Sequence, residues 1–333
     1  MRICCLCGSF WGIRKAVAIA LGSLISMIVA MAIVGYNKVK QFISKIANIA
    51  ELENCGNIFM SLPIPGEPHT WPKFGYFDNM NGKFRIGTSG WSYKDWTGIF
   101  YPKKMKPPDW LSHYAKTFDC TEINSSFYRL PSEETVINWL NKVPRSFRFC
   151  PKLSRYLTHM KKLREPEEPL ERFFSVFGPM QGQMGPILIQ LPRMVPFDYN
   201  ITEHLYKLLK EKYSPYNFAI EVRHESWMTD SSYSLMTKYG VAFVISHSGN
   251  YFPYAEVVTS KNIYFRFHGP GTLYNTKYHS ATLKKYSRLF KRWLDEGHDL
   301  WIFFNNDWFG YGIENAVTLR KFLEQAKQQA PVD

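Results

Sequence analysis

Glu221, Arg223 and His224 arrive together at the end of a short β-favouring run in Phe218–Trp227, FAIEVRHESW. Charged side chains rarely sit on a buried strand unless they are paired or put to chemical use. The same grammar recurs along the chain: TEINSS after Asp119, FCPK after Arg148, LIQLP after Pro186, YFRFHG after Asn262 and IFFNN after Trp301. Apolar runs that each end in polar groups point to one shared site assembled from many strands.

Two carboxylates stand out, Glu122 and Glu221. Paired carboxylates do acid/base work or hold a divalent metal; otherwise each is a buried ion-pair partner, Glu221 with Arg266 or Arg223. Imidazoles follow four of the runs, at His159, His224, His247 and His268, and a neutral imidazole transfers protons or binds metal. The preferred catalytic set is Glu122, Glu221, His159 and His268. The candidate ligands of a divalent metal cofactor are Glu122, Glu221, His224 and His268, although no H-E-x-x-H motif is present. For any one histidine the competing reading is a hydrogen-bonded structural role.

Lys152, Arg129, Arg223 and Arg266 are suited to clamping phosphate or carboxylate, Arg by bidentate contact. Gln190, Asn305 and Asn306 close their own runs. His268-Gly269-Pro270-Gly271 is either part of a phosphate site or only a tight turn. Trp91 and Tyr128, with Tyr93, Trp96, Phe127 and Trp227, either stack on a base or sugar or pack the top of the fold.

These residues must be positioned by alternating strands and helices. Strands are expected at 84–88, 120–124, 147–151, 187–191, 218–222, 241–246, 263–267 and 300–304. Helical patterns lie at Asp109–Thr117, Ser132–Asn141, Glu168–Phe177, Thr202–Lys212, Ser231–Tyr239, Thr282–Glu296 and Ile313–Lys327. Ser132 reads as an N-cap followed by acids, and Gly240 and Gly297 as helix terminators. Eight strands over about 250 residues predict an α/β fold, the (β/α)8 TIM barrel. The rival doubly wound sheet usually carries a G-x-G-x-x-G loop, and IGTSGW (86–91) does not supply one. A glycosidase barrel commonly places its acids after strands four and seven, where this chain has Gln190 and Arg266/His268; that counts against ordinary glycoside hydrolysis.

The 333 residues, 45% of them hydrophobic, are ample for one large core. Of the net charge of +13, residues 84–333 carry +9, compatible with an anionic ligand or with a solvated basic surface. The six cysteines show no disulfide framework, and Cys4 and Cys7 form a lone C-x-x-C. Three domains are expected: a hydrophobic segment in 1–50, an irregular linker at 51–83, and the barrel at 84–329. Ala16–Gly35 is an uncharged stretch long enough to span a membrane as one helix, flanked by Arg14, Lys15, Lys38 and Lys40. A cleaved signal peptide ending near Ala30-Met31-Ala32 is the alternative, and a dispensable extension before Met80 is a third. The expected location is cytoplasmic, with a membrane anchor if the segment at 16–35 serves as one.

The assembled motifs resemble the YecE-like family, domain of unknown function 72. The resemblance rests on IGTSGWSYKDWTGIFYP (86–102), TEINSSFYRLPS (121–132), FCPKLSRYLTH (149–159), GPILIQLP (185–192), AIEVRHESW (219–227), YFRFHG (264–269) and FFNN (303–306). It covers residues 84–329 in order and implies a TIM-barrel-like fold without assigning a reaction. The residues themselves favour an enzyme on a phosphorylated or otherwise anionic substrate, with metal-dependent phosphodiester hydrolysis the most concrete version. The alternatives are a non-catalytic module binding a nucleotide, nucleic acid or sugar phosphate, and a carbohydrate-active isomerase or hydrolase.

Overall fold

The structure, a computed structural model, describes residues 82–328. All eight expected strands form: β1 Phe84–Thr88, β2 Cys120–Ile123, β3 Arg148–Pro151, β4 Ile187–Gln190, β5 Phe218–Glu221, β6 Ala242–His247, β7 Asn262–Phe267 and β8 Asp299–Phe304. Between and after them run α1 Pro107–Tyr114, α2 Ser125–Tyr128, α3 Glu133–Leu140, α4 Glu167–Phe177, α5 Tyr199–Lys212, α6 Asp230–Tyr239, α7 Ser280–Asp295 and α8 Tyr311–Gln328. The Ser132 side chain caps α3 by accepting from the Thr135 N–H at 3.2 Å, and Gly240 ends α6 in a left-handed conformation (φ 71°).

The strands do not close into the eight-stranded barrel expected from their number. Six make one curled parallel sheet in the order β1-β8-β7-β6-β5-β4, and β2 pairs with β3 alone. Both gaps have a physical cause. Between β1 and β2, Gly87 approaches so closely that a Cβ there would sit 2.2 Å from the Cys120 carbonyl oxygen. The Tyr114 hydroxyl, from the end of α1, fills the seam. It accepts from the Thr88 N–H at 2.9 Å and donates to the Cys120 carbonyl at 3.1 Å, replacing a ladder bond. Between β3 and β4, Pro151 and Pro186 have no N–H to donate. Only scattered contacts cross there, such as Gly185 N–H to Phe149 O (2.7 Å) and Leu153 N–H to Leu188 O (2.9 Å).

The β1–β2 seam makes a testable point. Tyr114→Phe keeps the fully buried ring but strands two buried backbone groups, which costs about 1–3 kcal/mol. Urea denaturation measures it, and a loss well under 0.5 kcal/mol would mean that the hydroxyl is not a seam element.

The segment at 16–35, the boundary at residue 50, Cys4, Cys5, Cys7 and Cys55, and all of the linker except residues 82 and 83 lie outside the described residues. Among the described residues no helix is long and apolar enough to cross a membrane. Cys120 and Cys150 are free, buried thiols on the paired strands β2 and β3.

Candidate functional site

Strand alternation builds the site. Along β7, Phe265 and Phe267 pack against Tyr286 and Phe290 of α7. Tyr264 and Arg266 occupy the opposite face, because side chains two apart share a side. On that face Cys120, Cys150, Leu188, Ala219, Tyr264 and Phe303 belong to one buried cluster. Two residues further along the same chains come Glu122, Lys152, Gln190, Glu221, Arg266 and Asn305. An apolar floor therefore lies below a polar layer at the C-terminal ends of the strands.

Arg266 is the hub of that layer. It donates through Nε and Nη2 to Glu122 at 2.8 Å each, and through Nη1 to Glu221 at 2.5 Å. All three side chains are essentially fully buried. The Tyr264 hydroxyl adds a 2.8 Å bond to Glu122. Arg223 donates to Glu221 through Nε (3.0 Å) and Nη2 (2.9 Å), and its guanidinium lies 4.1 Å from the centre of the Phe252 ring. Burial alone would raise the Glu221 carboxyl, but Arg266, Arg223 and His268 hold it well below the usual carboxylate range. Two arginines thus balance two glutamates.

Lys152 has no such counter-ion among the described residues. Its ammonium is buried, donates to Gln190 Oε1 at 2.7 Å and sits 4.2 Å over the Phe127 ring. Burial first, then the charge of Arg266, brings it down to about 7 against the pull of Glu221 and Glu122. The neighbouring imidazoles are held neutral. Burial lowers His159 to about 4, helped by Lys152 and Arg223. His268 is fully buried and likewise lowered to about 4, because desolvation outweighs Glu221. The Asn305 amide lies 3.0 Å from His268 Nδ1, which assigns the ring proton to Nε2, 3.5 Å from Glu221 Oε2. His159 hangs on a π-helical turn, Tyr156–Met160, with Nδ1 2.9 Å from the Thr158 hydroxyl.

At the end of β8, burial raises the Asp307 carboxyl to about 7, with Glu122 reinforcing the rise against the Tyr93 hydroxyl and Arg266. Tyr93 donates to Asp307 Oδ2 at 2.9 Å and lies 2.7 Å from the Ser89 carbonyl, which also accepts from Asn124 Nδ2.

The structure brings together Glu122, Glu221, Arg266, Arg223, Lys152, Gln190, His268 and Asn305, with His159 beside them. It does not bring in the rest. His224 turns to the Ser226 hydroxyl and N–H. Asn306 is buried behind the site, tying Thr276 to Asn315. Trp91 packs edge-on against Trp139 and Phe149. Tyr128, the last residue of α2, and Arg129, which follows it, are exposed. Of the four candidate metal ligands, Glu122, Glu221 and His268 lie together and His224 turns away; among the described residues no group of three or more His, Cys, Asp or Glu side chains is arranged to hold a metal ion. Sequence reasoning missed Tyr264, which its spacing of two from Arg266 would have revealed. It also missed Phe252, which lies in a loop with no periodic signal.

A family model described as "Protein of unknown function DUF72" matches residues 85–333. The chain is similar to the UPF0759 protein YecE of Escherichia coli strain K12, 29% identical over 139 residues. That match covers 42% of this chain and 48% of YecE, so it spans about half the length of the curated relative. Among solved structures, a DUF72 family protein of Thermotoga maritima superposes with a TM-score of 0.65 at 30% identity, covering 73% of this chain and 99% of that one. A DUF72 family protein of Enterococcus faecalis gives 0.63 at 22% identity, covering 72% and 95%, which speaks to the fold alone.

Proposed function

The chain belongs to the DUF72 family of proteins of unknown function, and we propose that its strand-end site is the active site of an enzyme acting on an anionic substrate, with Lys152 as the group that binds the anion and exchanges a proton with it. One observation carries this reading: Lys152 is a buried ammonium with a neutral amide as its hydrogen-bond acceptor, beside arginines whose charge is already matched by Glu122 and Glu221. A phosphate or carboxylate supplies the missing counter-charge. A lysine poised near neutrality is also suited to general acid/base work. Glu122 and Glu221 become the fixed frame that aims Arg266 and Arg223, and His159 and His268 act as neutral hydrogen-bonding groups. A metal-dependent course finds less support, because Arg266 already engages both carboxylates.

Sulfate tests the anion half of the reading, since its charge does not change between pH 6 and 8. A lysine titrating near 7 is mostly protonated at pH 6 and mostly neutral at pH 8. Titration calorimetry is therefore expected to show binding about tenfold tighter at pH 6. Binding that is independent of pH, and unchanged in Lys152→Met, would remove Lys152 from the role.

A further inference from the structure

The cations at the site follow the earlier strands: buried Lys152 after β3, exposed Arg193 after β4 and part-buried Arg223 after β5. Exposed large rings occur on several loops, among them Tyr128 (72%) and Tyr251 (45%); three lie after β7 and β8, Tyr274 at 38%, Trp308 at 56% and Phe309 at 59%. Lys277, which shares that side, is committed to an ion pair with Glu314.

Two features mark these rings as more than incidental surface. Tyr274 (φ 66°) and Phe309 (φ 51°) are two of the five non-glycine residues with left-handed backbone among the described residues. Such a conformation is strained for a bulky residue, and neither ring recovers that strain by full burial. The loops are also tied together at the site. Tyr274 N–H donates to the His268 carbonyl at 2.6 Å, its ring meets the His268 imidazole edge-on at 5.8 Å, and Trp308 N–H reaches the Tyr274 carbonyl at 3.4 Å. Trp308 and Phe309 stand 5.8 Å apart, edge to face.

We infer that the substrate carries a planar ring as well as an anionic group, the anion seated at Lys152 and Arg223 and the ring stacked on the platform of Tyr274, Trp308 and Phe309. This rests on the anionic reading above and adds the ring. A ring face on an aromatic surface is favourable whatever its substituents, so the platform selects for planarity. The chemical class is a small phosphate or carboxylate compound that also bears an aryl or heteroaryl group.

The test uses the full chain at pH 6 and three probes: adenosine 5′-monophosphate, ribose 5-phosphate, which lacks the ring, and adenosine, which lacks the anion. The expected result is at least about tenfold tighter binding of the monophosphate than of ribose 5-phosphate. That advantage should collapse in Trp308→Ala, with ribose 5-phosphate binding unchanged. Phe309→Gly, which suits the left-handed backbone, should lose the same advantage while melting no lower than the wild type. Equal affinities for the two phosphates would overturn the ring platform and leave the anionic reading intact. Binding of adenosine alone, lost in Trp308→Ala, would keep the platform and overturn the anionic reading. Binding of none of the three would overturn both.

Discussion

Arg266→Met is expected to destabilise the protein by about 3–5 kcal/mol, because it leaves Glu122 and Glu221 buried without their shared cation. The pH dependence has a defined sign. In the wild type the Glu221 carboxyl is held well below its usual range, so its contribution to stability is present above the unfolded value of about 4.3 and is lost as pH falls through the depressed folded value. Without Arg266, burial is opposed only by Arg223 and His268, and that carboxyl moves up from its depressed value. The variant should then be least stable, relative to wild type, at neutral pH, and should recover part of the deficit on acidification as Glu221 protonates. Urea denaturation at neutral and acidic pH reads both effects. A deficit below about 1 kcal/mol, or one that does not change with pH, would mean that the buried triad is not the electrostatic keystone of the site.

Lys152→Met is expected to act in the opposite direction on stability and to abolish function. Folding takes the lysine from its ordinary value of about 10.4 to about 7. The unfolded chain therefore binds more protons between those values, and stability rises with pH across that window. The cost is fully present below about pH 7, so the methionine variant should gain about 1–4 kcal/mol there, a gain that fades towards pH 10. Sulfate binding should be lost, and turnover of any anionic substrate of the wild type should fall by about 10²–10⁴-fold. A variant that is both less stable at pH 7 and still able to bind sulfate would show Lys152 to be an ordinary packing residue. Stability given up at a functional position is a recurrent trade in enzymes.

Period-two alternation made much of this legible in the sequence. The runs ending in Glu122, Lys152, Gln190, Glu221 and Arg266 each placed their polar residue two positions beyond a floor residue, and those five do meet. All eight strands were legible for the same reason. Their closure was not, because hydrogen bonding across the β1–β2 seam depends on Tyr114, a helix residue whose hydroxyl enters from outside the strand pattern. The prolines flanking the β3–β4 gap were visible, but their consequence emerges only once those strands are neighbours. His224 and Asn306 misled because adjacency in sequence to a site residue puts a side chain on the other face. The exposed rings of Trp308 and Phe309 lie in a short 3-10 turn broken by the left-handed Phe309, where backbone conformation rather than periodicity decides which way a residue points.

The most direct test of the account is the titration of Lys152 itself, followed by the carbon-13 resonance of its Cε in lysine-labelled protein and assigned by its loss in Lys152→Met. The account predicts a midpoint near 7 in the free protein, displaced upward when sulfate is added, because a bound anion stabilises the ammonium. A midpoint near the ordinary value of about 10.4, unmoved by sulfate, would contradict it.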